Sequence, residues 1–163
     1  MKKVLFVIFW VISMGINVYA QGGRYITLNY QHSRRIPYNT IDIELKSEDS
    51  NDKIYYIRVF TRQMEGSSGW EYSNTERMIS IDKTYFDSMY NRILAIDYAE
   101  IIKNSENIIG TDGDTISLTT GTFHNNVTIT LWSPSYHPEE RKTSGINSII
   151  HELFVKIGLE EFL

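Results

Sequence analysis

Alternating apolar and polar residues predict strands between residues 24 and 81. Residues 40–46 (TIDIELK) alternate most regularly, residues 24–31 (RYITLNYQ) also alternate, and residues 54–62 (IYYIRVFTR) are rich in aromatic and β-branched side chains. A period of two residues places one set of side chains on each face of a sheet, so we expect one buried and one wet face. A fourth strand is predicted over about 76–81, after a loop over 63–75.

A spacing of three and four residues predicts two helices. The first helix follows a cap at Asp82 or Thr84, and the second begins near Glu139 or Ser144 and ends at Gly158. The apolar side of the first contains Phe86, Met89, Tyr90, Ile93 and Leu94. The apolar side of the second contains Ile146, Ile149, Ile150, Leu153, Phe154 and Ile157.

Residues 97–110 fit both patterns, because Ile101 and Ile102 suit either a helix or a strand. We favour an irregular segment or a short strand there. A turn is predicted over residues 111–114, followed by strands over 115–120 and 127–132 that form a hairpin.

These elements predict an α+β fold in the order ββββ-α-ββ-α. The simplest packing is an antiparallel sheet of about six strands with both helices on one face, because the two apolar helix sides need a partner. We expect residues 21–163 to form a single domain.

The first 20 residues have the pattern of a cleavable export signal. Lys2 and Lys3 precede an apolar run over residues 4–12, and a small residue stands at Ala20, before Gln21. The run is short for a membrane-spanning helix, which needs about 20 residues. We expect cleavage after Ala20, a periplasmic or secreted location, and no membrane attachment after cleavage; an uncleaved anchor is the alternative.

Composition narrows the classes of function. Hydrophobic residues make up 42% of the 163 and charged residues 22%, which indicates a globular protein rather than a disordered one. Loss of Lys2 and Lys3 with the signal lowers the formal net charge from −4 to −6, which argues against nucleic-acid binding. The chain has no cysteine, which excludes disulfides, thiolate zinc sites and cysteine nucleophiles.

Motifs that carry known chemistry are incomplete, so we predict no catalytic residue, metal ligand or cofactor. His151-Glu152 would need a second histidine at the position of Val155 to bind zinc. Asp112-Gly113-Asp114 is followed at once by a strand, which indicates a turn rather than a calcium loop. A serine elbow of the Gly-x-Ser-x-Gly type is absent from the sequence. No two of the histidines have metal-ligand spacing: His32, His124, His137 and His151.

The remaining candidate is a binding surface. If helices cover one sheet face, the alternation leaves these residues on the other: Tyr25, Thr27, Tyr56, Arg58, Phe60, Thr128 and Trp132. Aromatic and arginine side chains are enriched at protein–protein contacts. The alternative is that Phe60 and Trp132 pack under a loop. A second candidate is the loop with Trp70 and Tyr72, beside Glu65 and Glu71.

The last third of the chain resembles a known pattern. Asp112-Gly113-Asp114-Thr115, then Trp132-Ser133-Pro134, then Arg141 before an amphipathic helix, is similar to small uncharacterised exported proteins of Bacteroidota. Some proteins of that kind are immunity proteins, which neutralise antibacterial toxins. The resemblance implies no catalytic residues.

We therefore expect an exported binding protein, of an immunity or inhibitor-like kind, that occludes a protein partner such as a toxin. Its acidic charge would steer it toward a basic cleft. One alternative is an envelope hydrolase, in which His124 or His137 meets an acid in a concave pocket. Another is a structural or accessory envelope protein that uses a sheet edge or open face. The sequence does not indicate an oligomeric state.

Overall fold

The computed structural model describes residues 23–32, 38–47, 54–65, 71–105, 112–122 and 124–160. The elements are β1 (Tyr25–His32), β2 (Tyr38–Ser47), β3 (Tyr55–Glu65), β4 (Glu71–Ile81), α1 (Lys83–Leu94), α2 (Tyr98–Ser105), β5 (Asp114–Gly121), β6 (Asn126–Trp132) and α3 (Ser144–Ile157). The strands form one antiparallel sheet in the order β4-β3-β2-β1-β5-β6. The predicted α+β architecture with a six-stranded antiparallel sheet is confirmed.

The two faces of the sheet follow from the two-residue period. On the central strand β1, Leu28 pairs with Ile43 of β2 and with Leu118 of β5, and all three side chains are buried on the inner face. Thr27 and Asn29, the neighbours of Leu28 along β1, point to the outer face. The alternation read from the sequence thus predicts correctly which side chains form the core.

Helices α1 and α3 contribute their apolar sides to the same core as the inner face of the sheet, except for Leu94 at the end of α1, which is 51% exposed. The ring of Phe154 on α3 packs edge-on against Tyr30, with ring centres 5.4 Å apart. The Asp82 carboxylate caps α1 by accepting a hydrogen bond from the Tyr85 amide at 2.7 Å. Gly158 ends α3 with a φ of 68°, a left-handed conformation that favours glycine.

A short third helix, α2, occupies part of the segment for which we favoured an irregular piece or a strand. The Asp97 carboxylate accepts a hydrogen bond from the Glu100 amide at 3.0 Å, which starts this helix. Ile101 is buried, Tyr98 packs partly against the core and Ile102 is 56% exposed, so α2 has too few apolar contacts for a clear periodic signal. Within the described residues, the helices lack the length and apolar character needed to span a membrane.

The β3–β4 hairpin is longer than predicted, with pairs running from Tyr55↔Ile81 to Glu65↔Glu71. Tyr72 therefore lies in a strand and not in a loop. Most of β4 is exposed, and an exposed edge strand carries no alternation of apolar and polar residues to reveal its start. The predicted export signal over 1–20 and Trp70 lie outside the described residues.

Candidate binding surface

The outer sheet face displays the side chains that the alternation predicted for it. The register places all of these on that face: Tyr25, Thr27, Tyr56, Arg58, Phe60, Thr128 and Trp132. Phe60 is 38% exposed, and Met78 of β4, which we did not predict, is 58% exposed. Tyr56 is a correction: it is only 7% exposed, because neighbouring groups such as Lys46, whose Nζ lies 5.9 Å from the ring centre, pack over it.

A depression of about 380 Å³ opens on this face across strands β1, β2 and β3. Its polar and aromatic lining consists of Thr27, Asn29, Asp42, Glu44, Arg58 and Phe60. Three of these residues were not predicted as site residues from the sequence: Asn29, Asp42 and Glu44. The alternation already placed Asp42 and Glu44 opposite the apolar side of β2, so the signal was present.

Charged side chains on the outer face bind one another across three strands. Arg58 Nε donates to Glu76 Oε1 at 2.6 Å, and Arg58 Nη1 lies 3.9 Å from Glu44 Oε2. Lys46 Nζ lies 3.1 Å from Glu44 Oε1. The hydrogen bond to Glu76 raises the pKa of Arg58 above its ordinary value. These mutual ion pairs leave little unbalanced charge around the depression.

Two predicted aromatic residues are partly covered by their neighbours. The Trp132 ring is half-buried and packs edge-on against Tyr136, with ring centres 6.3 Å apart. The guanidinium of Arg62 lies 4.2 Å from the centre of the half-buried Tyr72 ring. Trp132 thus packs against the loop after β6, which is the alternative that we gave to its exposure on the outer face. Phe60 remains the aromatic residue that the depression presents.

The residues that carry the resemblance meet in space. A Cβ atom on Gly113 would lie 2.1 Å from Ser133 Oγ, so the close approach of these segments requires glycine. Ser133 Oγ accepts a hydrogen bond from the Asp114 amide at 3.1 Å, and the Ser133 amide donates to the Asp114 carbonyl at 2.7 Å. The buried Arg141 guanidinium donates to the Trp132 carbonyl at 3.0 Å. This set of residues shapes the loop over residues 133–143.

His124 and His137 lie at separate places on the surface. His137 Nδ1 lies 3.5 Å from Glu140 Oε1 on the surface, and His124 is exposed in the β5–β6 turn. Neither residue lines either of these two cavities, so the expectation that one of them meets an acid in a pocket stays a prediction. His151 lines a second cavity that also contains Asp114. Over the part of the chain that the structure describes, no group of three histidines and acids is placed to hold a metal ion.

No family model matches this chain, and no curated protein matches it. The function is therefore inferred from the geometry of the outer face and of the two cavities.

Proposed function

We propose that this chain is an exported, non-catalytic binding protein that uses its outer sheet face to occlude a site on another folded protein. The observation that carries the proposal is an open depression on this face, lined by the exposed Phe60 ring, with the more exposed Met78 on the same face. Exposed apolar side chains surrounded by polar residues are typical of a protein contact surface. An immunity or inhibitor-like role would need no more than such occlusion, with no cofactor.

The size of the face suits a reversible contact. Six strands about 4.8 Å apart, with about eight residues each at about 3.3 Å, give a face of about 24 Å by 26 Å, or about 600 Å². Stable protein–protein interfaces bury about 800 Å² on each partner. An area slightly below that value favours a separate partner protein that associates and dissociates over permanent pairing of two copies of this chain.

The charges on the face indicate how the partner is recognised. Asp42, Glu44 and Glu76 are balanced by Lys46, Arg58 and Arg62 on the same face. The acidic excess of the chain therefore does not come from this surface. We do not expect attraction to a basic cleft to be the main source of affinity at the outer face. Shape and apolar contact around Phe60 and Met78 carry the affinity instead, while the ion pairs form a polar rim.

Site-specific photo-crosslinking tests this proposal in the cells that produce the protein. A photoreactive residue replaces Phe60 or Met78 on the outer face, and in matched controls it replaces Leu94 or Ile102, which are 51% and 56% exposed on the helical side. We expect one adduct of the same mass from both outer-face positions and not from the helical positions. An adduct of twice the mass of this chain, or the same adducts from both sides, would contradict the proposal.

A binding measurement with the identified, purified partner then shows whether a variant loses affinity because its contact surface is changed or because its fold is destabilised. We expect Met78→Glu to weaken binding at least tenfold, because a charge would be buried in the contact, and Ile102→Glu to leave it within twofold. Both side chains are more than half exposed, so both variants should keep the wild-type stability within about 0.5 kcal/mol. Equal affinities of the two variants would refute the outer face as the contact surface.

The second cavity keeps a hydrolase as a second candidate function, because Ser135, His151 and Asp114 all line it. The described contacts of the Asp114 carboxylate are with Tyr30 and His32, and none of the described hydrogen bonds joins Ser135 to His151, so the geometry favours this candidate less than the binding protein. Turnover of a generic ester such as 4-nitrophenyl acetate that is abolished by both Ser135→Ala and His151→Ala would favour the hydrolase.

A further inference from the structure

The second cavity lies at one end of the sheet, on the helical side. It has a volume of about 260 Å³ and is formed by β1, β5, α3 and the loop over residues 133–143. Ile116, Ile150, Pro134 and Pro138 supply apolar walls, and Asp114 supplies a carboxylate. A mostly apolar cavity with a few convergent polar groups is the usual form of a small-molecule site.

The loop wall of this cavity is held firmly. The Pro134 carbonyl accepts hydrogen bonds from Thr143 Oγ1 at 2.6 Å and from Asn147 Nδ2 at 2.9 Å, and Thr143 is fully buried. Ser133, His137 and Lys142 have positive φ angles of 36°, 49° and 60°. Non-glycine residues keep this costly conformation only where the surrounding structure imposes it, and such residues cluster at functional sites. The cavity is therefore preformed, which lowers the cost of binding.

Ser135, Asn147 and His151 also line the cavity, and its one carboxylate, Asp114, makes two contacts with other parts of the protein. Asp114 Oδ1 accepts a hydrogen bond from the Tyr30 hydroxyl at 3.0 Å and lies 3.3 Å from His32 Nε2. Both of these contacts are made by the same oxygen, Oδ1. The carboxylate thus keeps one acceptor available beside apolar walls.

We propose that this cavity binds a small organic cation, with a primary ammonium group on Asp114 and an apolar body against Ile116 and Ile150. A carboxylate next to apolar walls favours a cation, because an anion would be repelled and a neutral ligand would leave the carboxylate desolvated without a counter-charge. A volume of 260 Å³ lies just below the range for drug-sized ligands, so the ligand has about ten non-hydrogen atoms. The proposal is independent of the outer sheet face.

An NMR titration of the purified protein with three aromatic probes of similar size tests the charge preference. The probes are benzylammonium, benzyl alcohol and benzoate, used at pH 8, where unperturbed histidines are mostly neutral. We expect benzylammonium to shift the amide resonances of Tyr30, Asp114 and Ile150 and to bind at least tenfold more tightly than benzyl alcohol. Benzoate should bind more weakly than either. Equal affinities of the three probes, preference for benzoate, or no shift with any probe would overturn the proposal.

Two variants test whether the ligand binds in this cavity. Asp114→Asn removes the charge but keeps an oxygen for the Tyr30 hydroxyl, and it should weaken benzylammonium at least tenfold. The exposed Asp112, two residues away, provides the matched control: Asp112→Asn should leave the affinity within twofold. If Asp114→Asn does not fold, Ser135→Phe, which places a ring in the cavity wall, should abolish binding. Unchanged binding in either cavity variant would overturn the proposal.

A free amine and the lysine side chain of a partner protein both carry a primary ammonium group on an apolar chain. A comparison of two cationic ligands distinguishes these two sources. A blocked tripeptide with a central lysine is titrated beside n-butylammonium. Tighter binding of n-butylammonium identifies a small-molecule site, and tighter binding of the peptide identifies a pocket for a partner's lysine. Binding of neither cation would contradict the proposal, and it would leave the crosslinking test of the outer face unaffected.

Discussion

Arg141 donates a hydrogen bond to the backbone carbonyl of Trp132 at 3.0 Å, although Arg141 is only 2% exposed. The same guanidinium also donates to the carbonyls of Ser133 and Tyr136. Burial lowers the pKa of Arg141 below its ordinary value, because desolvation disfavours the charged form. Backbone oxygens thus compensate a buried cation, and in doing so they hold the loop that forms one wall of the second cavity.

Replacement of Arg141 should destabilise the protein strongly. Arg141→Met removes the buried guanidinium that donates to the carbonyls of Trp132, Ser133 and Tyr136, and we expect a loss of about 3 kcal/mol in the free energy of unfolding. The adjacent, exposed Lys142 provides the control, and Lys142→Met should change the free energy of unfolding by less than about 0.5 kcal/mol. Urea denaturation measures both. Similar losses for the two variants would show that the buried hydrogen bonds do not hold the loop.

Two glycines should respond in opposite directions to alanine. In Gly113→Ala the new Cβ would lie 2.1 Å from Ser133 Oγ and 2.9 Å from Trp132 Nε1, so we expect a loss of about 2 kcal/mol. A Cβ on Gly145, in α3, meets nothing within 4 Å, so Gly145→Ala should stabilise the protein by about 0.5–1 kcal/mol. Thermal unfolding gives the sign directly, and two shifts of the same sign would contradict this argument.

Two half-buried tyrosines differ in the use of their hydroxyl groups. The Tyr85 hydroxyl is buried and has no hydrogen-bond partner among the described residues, and burial raises the pKa of Tyr85 to about 12. The Tyr98 hydroxyl donates to the Ile93 carbonyl at 2.8 Å. We expect Tyr85→Phe to raise the free energy of unfolding by about 1 kcal/mol, because it removes an unsatisfied polar group, and Tyr98→Phe to lower it by about 1 kcal/mol. Chemical denaturation at pH 7 checks the order of the two variants, and the reverse order would disprove the assignment.

Acid should lower the stability of the protein because it protonates the Asp87 carboxylate. Burial opposes ionisation of this carboxyl, but hydrogen bonds from Arg24 and Lys83 outweigh burial and hold the pKa of Asp87 below its ordinary value of 3.8. A lowered pKa in the folded state contributes stability above about pH 4, and that contribution is lost as the pH falls further. The Arg24 and Asp87 side chains are each 32% exposed, so solvent screening keeps the contribution below about 1 kcal/mol.

Denaturation of Asp87→Asn at two pH values measures this contribution. The variant should be less stable than the wild type at pH 6.5, and this difference should shrink at pH 2.5, because protonation of the wild-type carboxyl removes its charge. A difference that is the same at both pH values would assign the effect to packing rather than to charge.

The sequence alone was sufficient for the faces of the sheet and for the two long helices. The alternation in residues 40–46 and 24–31 placed Ile43 and Leu28 in the core and Asp42 and Thr27 outside it. Asp82 and Gly158 marked a helix start and a helix end. These features depend on neighbours within a few residues, which is the range over which helix and strand periods act.

The tertiary structure alone determined which distant segments meet. Gly113 lies against Trp132 and Ser133, and Arg141 reaches back to the end of β6, because the pairing of β5 with β6 and the fold of the following loop bring these segments together. The burial of Tyr56, the short helix α2 and the meeting of Asp114 with Tyr30 also depend on packing between elements. Such contacts leave no periodic trace, since each joins residues whose spacing along the chain is unrelated to any helix or strand repeat.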